Sequence, residues 1–340
     1  MILRPKPSPR HHGTFPGATV TAPMTAVPAW LRRAVPDAQS LAGKDVEDIA
    51  LAAGAALYAL DAVVRRQERW AGAWRQRLAL AAAAATARQA GRVEDENALR
   101  DAVLQTRPGD DVGPAGRMFL AWRRLAGAPA EKLLTESSIG AILDNLGLAR
   151  DDESVSELTN DLRQLAASDG TVGVMTGTIA LAERYGLGRA LGAWLADALL
   201  AQRLGWARAV PLLGAEASLG ASARPRRSAA SSVATSIETD PERAKNLLAA
   251  QARAALRAID LSAELGRRAD RLLAVAPKLR AKAADTIIDR LLNEDALAAS
   301  RGDKKTGMSD RGLRRLFDRL VELGAVRELS GRPTFRIYGL

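Results

Sequence analysis

Residues 308–324 read Met308-Ser309-Asp310-Arg311-Gly312-Leu313-Arg314-Arg315-Leu316-Phe317-Asp318-Arg319-Leu320-Val321-Glu322-Leu323-Gly324. Ser309 suits an N-cap, because its hydroxyl can accept an otherwise unpaired backbone N–H of the first turn. Gly324 suits a stop. At about 100° per residue, Leu313, Leu316, Phe317, Leu320 and Leu323 fall on one face. Arg311, Arg314 and Arg315 fall on the opposite side near the N-terminus, with Asp318 and Glu322 further along it. The spacing predicts a helix over 310–323 that buries one face and shows arginine on the other.

The flanks extend this pattern. Residues 281–293 form an amphipathic helix with Ala284, Ile287, Ile288, Leu291 and Leu292 inward. A short helix from Glu294 to Ala299 is expected next, then a basic turn with Arg301, Gly302, Lys304, Lys305 and Gly307. After Gly324, Val326–Leu329 and Thr334–Tyr338 read as strands joined by Ser330-Gly331-Arg332-Pro333. Three helices followed by a hairpin is the order of a winged helix-turn-helix, which sets the N-terminal residues of its second paired helix at base edges. Arg311, Arg314 and Arg315 occupy that end, and a guanidinium fork suits both phosphate and guanine. Arg332 at the hairpin tip and Lys304 and Lys305 in the turn are candidate backbone contacts. The same spacings, Arg314 or Arg315 to Asp318 and Arg319 to Glu322, also describe a salt-bridged, solvated face. The module then serves either double-stranded DNA or a protein partner.

Upstream, residues 1–40 read as a disordered tail, punctuated by Pro5, Pro7, Pro9, Pro16, Pro23 and Pro28. Met24 is an alternative start that would remove His11 and His12. Residues 41–217 read as a helical bundle, with helices from Asp45, over about 70–89 and 93–104, from Pro114, and near 136–147, 152–167, 172–185, 188–204 and 207–217. Residues 218–239, rich in Ser, Ala and Arg, read as a flexible linker. Asp240-Pro241 opens a long connecting helix over 240–276, and 277–340 form the winged-helix-like domain. The fold class expected is mainly α: a multi-helix bundle body, a linker and a small winged helix-turn-helix.

Composition narrows function. The chain has 340 residues, no cysteine, two histidines and a net charge of +10. Absent cysteine removes disulfides, thiolate nucleophiles and cysteine-type metal sites. Both histidines lie in the tail, so a histidine triad or metal site has no place in the body. The positive excess sits at the two ends, +4 in residues 1–40 and +5 in 301–340, around a nearly neutral body. Arginine supplies 41 of the 49 cations, which a G·C-rich genome also produces. No stretch is long and apolar enough to span a membrane, so none is expected as a partner and a cytoplasmic location is. No Walker or dinucleotide motif occurs. Asp110 and Asp111 could hold a divalent cation in a metal-dependent enzyme, but more simply they favour the next helix N-terminus. Asp61 and Asp197 interrupt apolar faces, and Arg189 or Arg203 is the expected partner of Asp197. Trp70, Trp74, Trp122, Trp194 and Trp206 read as packing anchors. No catalytic constellation and no cofactor site is expected.

Several stretches carry a family resemblance. They are Trp70-Ala71-Gly72-Ala73-Trp74-Arg75, Arg107-Pro108-Gly109-Asp110-Asp111 with Gly113-Pro114-Ala115-Gly116-Arg117, Trp194-Leu195-Ala196-Asp197, and the tail through Gly331-Arg332-Pro333-Thr334-Phe335-Arg336-Ile337-Tyr338. Over about residues 45–340 the chain resembles a bacterial family, domain of unknown function fourteen-oh-three. The resemblance implies a bacterial, cytoplasmic protein and no catalytic residues. The tail is also similar to winged-helix tails of Fic-type adenylyltransferases, but the His-Pro-Phe motif of that chemistry is missing. The function expected is a DNA-binding regulator whose tail contacts DNA and whose body dimerises or senses a partner. The alternative is an interaction scaffold that uses the winged helix for docking.

Overall fold

The structure is a computed structural model that describes residues 27–37, 39–107, 109–149, 151–168, 170–216, 241–279, 284–299, 308–332 and 334–340. The expected linker 218–239 lies outside the described residues, as do residues 1–26 of the expected tail. The chain is mainly helical: α1 Ala29–Ala34, α2 Val46–Arg65, α3 Ala71–Gln89, α4 Glu96–Leu104, α5 Gly113–Gly127, α6 Glu136–Leu146, α7 Asp152–Ala167, α8 Thr171–Arg184, α9 Gly188–Arg203, α10 Pro241–Val275, α11 Ala284–Asn293 and α12 Asp310–Glu322. Three short strands, β1 Leu297–Ala298, β2 Arg327–Glu328 and β3 Ile337–Gly339, form one antiparallel sheet in the order β1-β3-β2. Among the described residues, no helix is long and apolar enough to cross a membrane.

Local chemistry explains many ends. The side chains of Asp95, Thr135 and Asp151 accept the N–H groups of Ala98, Ser138 and Ser154, so α4, α6 and α7 start there. Gly147, at φ 69°, closes α6 in the left-handed conformation that glycine adopts without strain. Around α3 the rule changes. Its Ala79, Leu80 and every residue from Ala82 to Ala87 are buried, so it has no solvent face along that stretch. Methyl-sized side chains let α4, α5, α10, α11 and a 3-10 turn at Leu213–Ala215 all lie against it. Helix α2 packs mainly on α10, and α8 packs on α9, which also touches α5 and α6. The buried residues from Leu31 to Leu340 form one continuous core.

Three expectations are corrected. Residues 29–34, assigned to a disordered tail, form α1, because Leu31 is buried in the core and Arg32 reaches Asp260 on α10 at 2.5 and 2.9 Å. Of the helix expected over 207–217, the described residues 207–216 are not an α-helix. Arg208 bridges Pro129, and only the 3-10 turn Leu213–Ala215 follows, since Pro211 lacks a donor and the Asp197 carboxylate takes the N–H groups of Leu212 and Leu213. Residues 294–299 turn and enter β1 instead of forming a helix, with Leu297 opposite Tyr338.

Trp70, Trp74, Trp122, Trp194 and Trp206 are buried and serve as packing anchors. Trp74, Trp122 and Trp194 are fully buried and donate to the Ala258 carbonyl, the Thr86 hydroxyl and the Ala121 carbonyl. Trp206 donates to Asp61 at 2.8 Å, which, with Arg65, accounts for that acid. Asp197 meets neither expected arginine: Arg203 donates to Thr171, Ala166 and Ser168, and two buried nitrogens of Arg189 have no hydrogen-bond partner. Burial pushes the Asp197 carboxyl well above the usual carboxylate range, and its two backbone donors offset this only in part.

Two outcomes follow from this packing. A Cβ at Gly214 would collide with the Trp122 ring and stand 2.7 Å from Ala82. Gly214→Ala should therefore cost about 1–3 kcal/mol in urea unfolding, and a variant of native stability contradicts this close approach. Because burial raises the Asp197 pKa in the folded chain above its unfolded value of about 4, the folded chain binds the proton more tightly, and the contribution of Asp197 makes stability fall as pH rises from there. Asp197→Asn retains an accepting oxygen and should flatten that part of the pH–stability curve; an unchanged slope contradicts the assignment.

Candidate nucleic-acid interface

Helix α12 begins where its sequence requires, with the Ser309 hydroxyl accepting the Gly312 N–H at 3.3 Å. Leu313, Leu316, Phe317 and Leu320 are buried, and Phe317 stacks on Tyr338 of β3 with ring centroids 4.5 Å apart. Fixing that face turns Arg311, Arg314 and Arg315 outward. All three are exposed, and none forms an ion pair among the described residues. Asp318, which helical spacing would assign to Arg314 or Arg315, instead faces Arg336 at 3.9 Å, while the Arg319–Glu322 pair that a salt-bridged face would show is formed at 3.0 Å.

Arg332 departs from expectation. Its guanidinium donates to both carboxylate oxygens of Asp101 on α4, at 2.6 Å each, and to the Phe335 carbonyl at 3.3 Å. A bidentate pair of this kind holds geometry as well as charge, so Arg332 anchors the β2–β3 loop to the body and does not reach outward. Lys304 and Lys305 lie outside the described residues.

With Arg332 turned inward, the loop displays Phe335, a residue the sequence did not single out. Phe335 is 59% exposed and has φ 53°, a region that bulky side chains rarely occupy. It lines, with Arg314, Asp318, Thr334 and Arg336, a cavity of about 300 Å³ between α12 and the loop. Hydrogen bonding with Tyr338, and the field of Glu328, raise the pKa of Arg336 above its usual value, so it stays cationic. The inward turn of Arg332 leaves no mark in sequence, because it depends on Asp101, 231 residues away.

What fastens this surface to the bundle is Asp295, in the turn before β1. Its carboxylate accepts from Arg77 of α3 and from Arg100 of α4, the latter at 2.6 Å through Nε, and Arg77 also donates to the Asp295 carbonyl at 3.3 Å. The Asp295 and Arg100 side chains are each only 6% exposed. Arg268 of α10 donates to the Leu340 main-chain oxygen at 3.1 Å, and burial lowers its pKa, helped by Arg327 and Arg77 nearby. Elsewhere, Asp111 accepts the Gly113 N–H at 3.0 Å at the start of α5, and Asp110 is exposed. Among the described residues no group of three or more His, Cys, Asp or Glu side chains could hold a metal.

Removing the shared carboxylate takes from Arg77 its ion-pair partner and leaves the buried Arg100 only the half-exposed Glu96 at 3.7 Å. Asp295→Ala should cost about 3–5 kcal/mol by urea unfolding. A drop under about 1 kcal/mol would mean that the network does not fasten the module.

Residues 17–340 match the family described as Protein of unknown function (DUF1403). No curated protein and no solved structure matches the chain.

Proposed function

We propose, for a chain that belongs to the DUF1403 family of proteins of unknown function, that the C-terminal surface formed by α12 and the β2–β3 loop contacts double-stranded DNA. The observation that carries this is the set Arg311, Arg314 and Arg315: exposed, at the N-terminal half of one helix, and without acidic partners among the described residues. A salt-bridged, solvated face would have spent Arg314 or Arg315 on Asp318, which faces Arg336 instead. The order α11, β1, α12, β2, β3, with β3 central in the sheet, supports a winged helix in which α12 is the reading helix.

In this arrangement the arginine forks engage phosphates and guanine edges in the major groove, and the buried Leu/Phe face keeps α12 from rotating. Arg336, which faces Asp318 and Glu328, lies beside Arg314 in the same cavity, and Phe335 offers an apolar surface to a thymine methyl or a sugar. Arg332 acts at one remove, by holding the loop. The bundle serves as the platform that positions α12 and carries any regulatory contact.

Fluorescence anisotropy with labelled duplex DNA across a salt series tests the proposal. Binding should weaken steeply with salt, and Arg311→Ala with Arg315→Ala should flatten the log–log slope by about 0.9 for each phosphate that is no longer neutralised. Salt-independent binding, or equal slopes for the two proteins, would overturn it. Loss of a protein partner in the same variant with DNA affinity intact would favour docking instead.

A further inference from the structure

Helix α2 buries Ile49, Ala52, Ala53, Ala56, Leu60 and Val64 against α1 and α10, and the opposite side faces solvent. That side is not polar. Leu51 is 69% exposed and Tyr58 is 80% exposed, the two largest apolar exposures on any one helix of the described chain. They fall seven residues apart, with Ala55, partly buried at the edge of the core, between them and the exposed Ala62 beyond, so Leu51, Ala55, Tyr58 and Ala62 form one stripe at alternating spacings of four and three. This is the seam pattern with which one helix meets another, large side chains alternating with small ones.

The charges flanking the stripe are separated along it. Glu47 and Asp48 stand at its N-terminal end and Arg65 and Arg66 at its C-terminal end, Arg65 being already paired with Asp61 at 2.7 Å and donating to the Leu204 carbonyl at 2.8 Å, so an acid across the seam would share it. A second α2 laid antiparallel, in the register where paired residue numbers sum to 113, sets Leu51 on Ala62 and Ala55 on Tyr58, and each contact recurs through the two-fold axis. The same register brings Asp48 and Glu47 of each copy beside Arg65 and Arg66 of the other, one pair along each edge of the seam. A parallel arrangement would instead set acid on acid and arginine on arginine.

We propose that this face of α2 is where a second copy of the chain docks, antiparallel, with Tyr58 of each copy seated over Ala55 of the other. Self-complementarity of both the stripe and the charges is what a two-fold interface demands of a single surface. The proposal rests on α2 alone and is independent of DNA binding. One helix pair about 30 Å long makes a small interface, so the dimer is concentration-dependent, with dissociation in the micromolar range.

Sedimentation velocity of the full chain at about 1–100 μM tests this directly. A monomer–dimer equilibrium is expected, and Leu51→Glu with Tyr58→Glu should raise its dissociation constant by about 30-fold or more while leaving the thermal unfolding curve in place. The chain has no cysteine, so engineered thiols report cleanly on orientation. A mixture of Leu51→Cys and Ala62→Cys proteins should form a disulfide-linked dimer under mild oxidation. Either variant alone should not, because identical positions lie about 16 Å apart in the antiparallel register, beyond disulfide reach. A chain monomeric throughout, a dimer indifferent to the glutamates, or self-linking by the single variants as fast as by the mixture would overturn the proposal.

Discussion

The closeness with which the surrounding elements approach α3 rests on the size of its side chains. From Ala79 to Ala87 the helix is almost entirely alanine and is buried on every side. A larger residue at these positions would hold α5, α10 and the Leu213–Ala215 turn apart. Close approach is so complete that Gly214 has no room for a methyl group beside Trp122 and Ala82, and Gly72 has none beside Asn293 of α11. High interior density makes such packing unforgiving, and the bulky anchors Trp74, Trp122 and Trp194 fill the gaps that alanine leaves.

The same helix also carries Arg77, so α3 joins the bundle to the C-terminal unit by charge as well as by shape. Two kinds of arginine result. Arg77, Arg100 and Arg332 are held by Asp295 and Asp101 and act as fasteners between segments more than 190 residues apart. Arg311, Arg314 and Arg315 are left exposed by the packing of their own helix. An arginine-rich composition hides this division, because residue type is identical in both groups. Only the position of a carboxylate, supplied by a distant part of the chain, separates the structural cations from those available to a polyanion.

Much of the secondary structure is legible where it is encoded within a turn or two. Capping by Asp95, Thr135, Asp151 and Ser309 and the apolar face of α12 are local properties. The departures share one cause. Leu31 sits in a proline-punctuated segment with no periodic pattern, yet a single buried leucine and the Arg32–Asp260 pair give α1 its place. Residues 294–299 read as helical, yet Asp295 is drawn between two arginines and Leu297 pairs with Tyr338. Pro211 and Asp197 together hold residues 207–216 out of an α-helix. In each, a long-range partner outweighs a propensity worth only a few tenths of a kcal/mol per residue.

For the candidate interface the division is the same. Periodicity alone places Arg311, Arg314 and Arg315 on the outward side of a helix, since burying four apolar side chains leaves no other orientation. The fate of Arg332, the exposure of Phe335 and the cavity beside Arg314 belong to tertiary structure. So does the outward face of α2: the sequence shows an alternation of apolar residues, but only α10, by covering one side, decides that Leu51 and Tyr58 face solvent. The sequence by itself determined which faces are apolar and where helices start, because those depend on neighbours three or four residues away. Tertiary structure decided which charges are spent and which apolar side chains stay uncovered, because their partners lie far along the chain and meet them only in the folded state.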